Sequence, residues 1–151
     1  MNINNVSMTD LVPVLKEVIE NGGKFSIPVT GSSMFPLFCE NRDSVVLEKV
    51  HKLKAGDIIL YQRDDGTYVL HRIVKIKNNE LYLCGDAQFV IEYPIRYDQV
   101  IAVVSSFNRK GETISVSDFK YKIYTKVWCH TLKSRPHILK AFMRLKKPFE
   151  K

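Results

Sequence analysis

DIILYQRDDGTYVLHRIVKIKNNELYLC, residues 57–84, holds three β-rich runs parted by RDDG at 63–66 and KNN at 77–79. Val, Ile and Tyr suit a pleated, half-buried surface, and Gly or Asn accepts the positive φ of a tight turn, so both interruptions read as hairpin connections. The runs Asp57–Gln62, Thr67–Ile76 and Glu80–Cys84 are therefore expected as neighbouring antiparallel strands. Similar short runs flank them at Phe25–Val29, Ser44–Glu48, Gln99–Phe107 and Thr113–Val116. Many strands joined closely in sequence predict a mainly β, antiparallel domain.

Both ends of the chain read as helical. Leu11, Leu15, Val18 and Ile19 recur at helical spacing behind Ser7 and Thr9 as caps, and Asn21-Gly22-Gly23 supplies a stop, which predicts a short helix over 9–21 with Pro13 tolerated in or near its first turn. Near the C-terminus Ile138, Leu139, Phe142, Met143 and Leu145 can share a stripe while Lys140, Arg144 and Lys147 lie elsewhere. Pro136 is expected to separate this piece from the segment Tyr121–Leu132.

Charge divides the chain at the same place. Residues 1–118 hold 13 Lys/Arg against 15 Asp/Glu, whereas residues 119–151 hold 10 against Glu150 alone, so the net charge of +7 belongs to a tail. The expected organisation is a β domain over 1–118, including the N-terminal helix, and a basic helical tail over 119–151. Such a tail either packs on the domain with a solvated basic face or meets an anionic partner, for which a membrane surface is one choice.

Other totals exclude whole classes. The chain of 151 residues, 45% hydrophobic, suffices for one core. No run reaches the roughly 18 apolar residues of a membrane span, and the N-terminus MNINNVSMTD has neither the basic nor the apolar region of a secretion signal, so a cytoplasmic location is expected. Cys39, Cys84 and Cys129 are odd in number and widely spaced, which suits reduced thiols; no C-x-x-C pair suggests zinc, and no cofactor is expected.

Hydroxyls and histidines are the side chains that could carry chemistry. Val29-Thr30-Gly31-Ser32-Ser33-Met34-Phe35-Pro36 sets two serines between a glycine and Met-x-Pro. A serine hydroxyl attacks only with a base in reach and donors for the oxyanion. His51 sits among lysines, and His130 and His137 fall in the tail. His71 differs: strand alternation places it with Val69 and Ile73 on one face, and Arg72 with Leu70 and Val74 on the other. A satisfied structural histidine has the same pattern, yet an imidazole of ordinary pKa, about 6.5, also suits a base near neutrality. Cys84-Gly85-Asp86 ends the next strand, where the carboxylate could reach the imidazole across the hairpin or could simply make a turn.

In order, Gly31-Ser32-Ser33-Met34-Phe35-Pro36, Leu53-Lys54-Ala55-Gly56-Asp57-Ile58-Ile59, Leu70-His71-Arg72-Ile73-Val74 and Leu83-Cys84-Gly85-Asp86 resemble the signal peptidase I and LexA-type superfamily of serine peptidases. The resemblance covers roughly residues 25–104. It implies that Ser33, before the methionine, is the nucleophile. Bacterial signal peptidases and LexA-type proteins use a lysine base, whereas the endoplasmic-reticulum and archaeal signal peptidases carry a His-Arg similar to His71-Arg72. That match implies His71 as the base and Asp86 as the orienting acid. Gly31 stands where many signal peptidases have a serine that donates to the oxyanion, so the hole would rest on backbone N–H groups around Gly31, Ser32, Ser33 and Met34, with low activity on generic substrates. The membrane anchor of true signal peptidases is absent from this sequence.

The expected function is a serine endopeptidase cutting an intracellular precursor or leader peptide after small side chains, with peripheral contact at the inner face of the membrane through the tail. A catalytically inactive β-fold binding module is the alternative. A repressor-type autoprotease lacks room for a helix-turn-helix domain before Ser33, which makes nucleic acid an unfavoured partner. A metal site from His71, Cys84 and Asp86 fits no standard zinc spacing.

Overall fold

The computed structural model describes residues 6–146. Its elements are α1 (Met8–Glu20), β1 (Phe25–Pro28), β2 (Ser44–Glu48), β3 (Ile58–Gln62), β4 (Tyr68–Lys77), β5 (Glu80–Cys84), β6 (Glu92–Ile95), a 3-10 turn at Tyr97–Gln99, β7 (Val100–Arg109), β8 (Glu112–Ser115), α2 (Phe119–Cys129) and α3 (Arg135–Lys146). The tail residues Lys147 and Glu150 lie outside the described residues, as does the segment 1–5.

The mainly β, antiparallel expectation holds. The eight strands form one sheet in the order β1-β2-β7-β3-β4-β5-β6, with β8 also pairing β7. The β3–β4 and β4–β5 hairpins form where the turn residues place them: Gly66 adopts φ +91° in the first, and Asn78 and Asn79 adopt φ +51° and +59° in the second. β6 has no counterpart among the expected strands. It carries Pro94, whose missing N–H is tolerated because, among the described strands, β6 pairs only with β5, at the sheet edge.

Apolar side chains divide between two clusters. One gathers Leu15 and Ile19 of α1 with Phe38, Val45, Leu47 and Phe107, and the other gathers Ile59, Tyr61, Ile73, Leu81, Leu83 and Val103. The helix is capped by Ser7, whose Oγ accepts from the Asp10 N–H. Pro13 is the sixth residue of α1, beyond the first turn; the carbonyl it deprives of a partner belongs to exposed Thr9, where water can replace the lost bond.

The tail folds back onto the sheet. Asp118 caps α2 by accepting from the Lys120 and Tyr121 N–H groups. Tyr121 and Trp128 are buried, and the Phe38, Phe107 and Tyr121 rings form successive edge-to-face contacts at 5.1 Å. The break between α2 and α3 falls at 130–134. Pro136 is the second residue of α3 rather than the separator, a position where a missing N–H costs nothing. Of the expected stripe, Ile138 and Leu139 are half-buried while Phe142, Met143 and Leu145 are exposed. No helix among the described residues is long and apolar enough to cross a membrane.

Candidate active site

The segment after β1 brings Ser33 to the sheet. Gly31 takes φ +75°, and buried Met34 and Phe38 anchor the turn in the first apolar cluster. The Ala87 N–H donates to the Ser33 carbonyl at 2.9 Å, tying this turn to the segment that follows β5. Gly85 lies at the crossing: a Cβ there would press on the Ser33 carbonyl oxygen and stand 3.1 Å from His71 Nε2. Only a glycine leaves both in place.

Ser33 and His71 line one pocket of about 280 Å³, together with residues 27–30, Arg63, 68–70 and Gln88. Met34 contributes to its wall, whereas Gly31 and Ser32 are exposed and stand outside it. Among the described residues no hydrogen bond joins the Ser33 hydroxyl to His71, and the Ser33 backbone N–H has no acceptor, which leaves it available to a developing oxyanion.

His71 is 3% exposed and faces the second cluster, as its alternation with Val69 and Ile73 predicts. Its Nδ1 lies 3.4 Å from the Tyr61 hydroxyl, which donates to Glu92 Oε2 at 2.7 Å. Glu92 is gripped in turn by Arg63 through two bonds of 2.9 Å. Because the Tyr61 proton is committed to the carboxylate, its oxygen is left to accept from Nδ1–H. The tautomer so favoured leaves the Nε2 lone pair unprotonated beside Gly85 and Ser33. Burial pushes the His71 pKa down to about 4, although the charge of Glu92 opposes the shift, so the ring is neutral at pH 7. Burial alone would raise Glu92, but hydrogen bonds from Arg63 and Tyr61 outweigh it and hold the carboxyl below its usual range.

Asp86 does not take the expected place. Its carboxylate receives two 2.8 Å bonds from Arg72 and one of 3.0 Å from the Tyr124 hydroxyl, and both members of the ion pair are fully buried. The register explains the departure. Starting from Lys77↔Glu80, an uninterrupted hairpin would set Asp86 opposite His71, but a bulge between Ile73 and Lys75 shifts the pairing to Arg72↔Cys84. Asp86, two residues beyond Cys84, then falls on the Arg72 side. The group facing His71 is instead Tyr61 with Glu92. Tyr61 shares the His71 face through the Ile59↔His71 pairing, which alternation within 57–62 could have suggested; Glu92 sits in the Pro-bearing strand and carried no signal.

Arg135, the first residue of α3, closes the site from behind. Fully buried, it donates to the carbonyls of Gly85, Gln88 and Trp128 at 3.2, 2.7 and 2.7 Å, and its guanidinium lies over the Trp128 ring. The Trp128 indole N–H donates to the Asp86 carbonyl at 3.0 Å. The segment between Gly85 and Gln88 is thus fixed by the tail on one side and touches Ser33 and His71 on the other. Cys84 Sγ lies 3.6 Å from Arg135, and among the described residues no group of three or more His, Cys, Asp or Glu is placed to hold a metal ion.

No curated protein and no solved structure matches the chain at a significant level. A family model does, over residues 2–105, a span that holds the serine turn, the imidazole and the glycine between them: the chain belongs to the Peptidase S24-like family.

Proposed function

We propose that the chain is a serine endopeptidase in which Ser33 is the nucleophile and His71 the general base. The observation that supports this reading is the shared pocket, into which Ser33 and a neutral imidazole with a free Nε2 both face across Gly85. Nε2 takes the Ser33 proton as Oγ attacks a peptide carbonyl, and the oxyanion meets the Ser33 N–H. The imidazolium then protonates the leaving amine, and water repeats the sequence on the acyl-enzyme. Tyr61 and Glu92 hold the ring and favour its transient charge, the part expected of Asp86. Serine and imidazole separated in the free protein are compatible with closure on substrate.

The substrate in this reading is an extended peptide in a precursor or leader, cut after a small side chain. β1 pairs only with β2 among the described strands, and residues 27–30 line the pocket opposite 68–71, so a peptide can add along this edge. The protein is proposed to act in the cytoplasm. Exposed Phe142, Met143 and Leu145 among Lys140 and Arg144 support peripheral contact with the inner face of the membrane.

The unbonded Ser33 hydroxyl favours a second reading, a non-catalytic module that binds peptides in the same groove. A fluorophosphonate probe separates the two. Covalent labelling at Ser33, lost in both Ser33→Ala and His71→Ala, is the expected result; labelling that is absent from the wild type, or that persists in folded His71→Ala, rejects the peptidase assignment.

A further inference from the structure

A second cavity, of about 600 Å³, lies away from Ser33 between α2 and the sheet. Its volume falls in the range of small-molecule sites. Ile58, Val74, Val104 and Tyr121 supply an apolar wall from β3, β4, β7 and α2, joined by Val116 just after β8, while Lys122, Lys126 and His130 reach the same space from α2 and its C-terminal end. The one carboxylate on the wall, Asp57, is neutralised by Lys54 at 3.0 Å. Lys122 and Lys126 have no ion pair among the described residues. An apolar chamber bordered by two uncompensated ammonium groups matches a ligand with one hydrocarbon chain and one acidic head.

We propose that this cavity binds a free single-chain anionic amphiphile, a fatty-acid carboxylate in chemical class. Its chain lies against Ile58, Val74 and Tyr121, and its carboxylate meets Lys122 and Lys126. The site also adjoins the buried ion pair next to the Gly85 segment. Arg72, which holds Asp86, donates through Nη1 to Gly56 O, Tyr121 Oη and Thr125 Oγ1, and all three residues line the cavity. An occupant that shifts α2 therefore acts on Arg72 and, through Asp86, on the segment at Gly85. Binding itself is independent of whether Ser33 cleaves anything.

Calorimetry of the full chain with monomeric dodecanoate tests the site. One saturable event is expected, weakened about tenfold by Lys122→Glu with Lys126→Glu through loss of two attractive charges, and abolished by Val74→Trp, which fills the chamber. Absence of saturation overturns the proposal, as does undiminished binding by both variants. Binding to anionic vesicles without binding to monomeric dodecanoate also overturns it, because a bilayer would then be the ligand. Should Val74→Trp fail to fold, alkylation of Cys129, which lines the cavity, replaces it. Dodecanoate is expected to slow labelling there and leave Cys39 unchanged; equal rates at Cys129 reject the site.

Discussion

Burial of one imidazole sets two pH dependences. Taking about 6.5 for unfolded His71 and about 4 for the folded ring, the unfolded chain binds the extra proton between these values. Its contribution to stability is complete above about pH 6.5 and disappears as pH falls through about 4, amounting to about 3 kcal/mol at most. Urea unfolding at pH 7 and pH 4.5 should show that loss, reduced in His71→Gln. As a base, the same ring must be neutral, so the acid limb of kcat/KM is expected near pH 4; a limb at about 6.5 would mean that burial does not depress the imidazole that acts as base. Asp86→Asn and Glu92→Gln separate positioning from structure. Glu92 has the larger influence on the imidazole, so removing it should lower the His71 pKa further, read from the ring's NMR titration, and reduce kcat by up to about 10²-fold. Asp86→Asn should shift the titration less yet cost about 3–5 kcal/mol of stability, because it leaves Arg72 buried without its partner. A hydroxyl before Met-x-Pro and an imidazole in an alternating strand decide no role by themselves; resemblance to a peptidase superfamily singled out Ser33 and His71, and the fold brings both to one pocket. The Asp86 expectation failed for a reason equally physical: one bulged residue, invisible in composition, reverses which face a partner strand presents.

Among the elements, the strands that matter most are joined by their ends. The turn after β5 donates to the Ser33 carbonyl through Ala87 and passes beside the imidazole at Gly85, so the spacing of Ser33 and His71 depends on this short segment. Gly85→Ala is expected to push that segment away from Ser33, costing about 1–3 kcal/mol in overpacking. Cleavage or probe labelling should fall by more than the folded fraction does. Equal labelling of the folded variant would show that the spacing at Gly85 is not critical. The hairpins around β4 could be read from Gly66 and Asn78-Asn79, since positive φ has few alternatives. β6 could not, because Pro94 opposes a strand assignment until the edge position that excuses it is known.

At the scale of the whole molecule, the open question is whether the basic tail is an appendage. Its charge left both possibilities open, since the excess of Lys and Arg lies beyond residue 118, and Lys120, Lys122, Lys126, Lys133, Lys140 and Arg144 are exposed. The inward face carries Tyr121, Trp128 and Arg135, all buried, and their bonds end on Arg72, Asp86, Gly85 and Gln88. Removing residues 119–151 would expose the Phe107 edge and leave the Arg72–Asp86 pair facing water without Tyr121, Tyr124 and Thr125. Two large aromatic side chains contribute about 1.5–3 kcal/mol each on burial, a sizeable part of the 5–15 kcal/mol typical of a domain. A chain ending at residue 118 is therefore expected to melt well below the full protein, or to lose a cooperative transition altogether, and to lose labelling at Ser33 even where secondary structure remains by circular dichroism. Raised salt should not imitate the truncation, because the tail is held by apolar contact and short hydrogen bonds rather than by its exposed lysines. An unchanged melting temperature in the truncated chain would mean that residues 1–118 fold independently and that the contacts of Tyr121, Trp128 and Arg135 add nothing to the site.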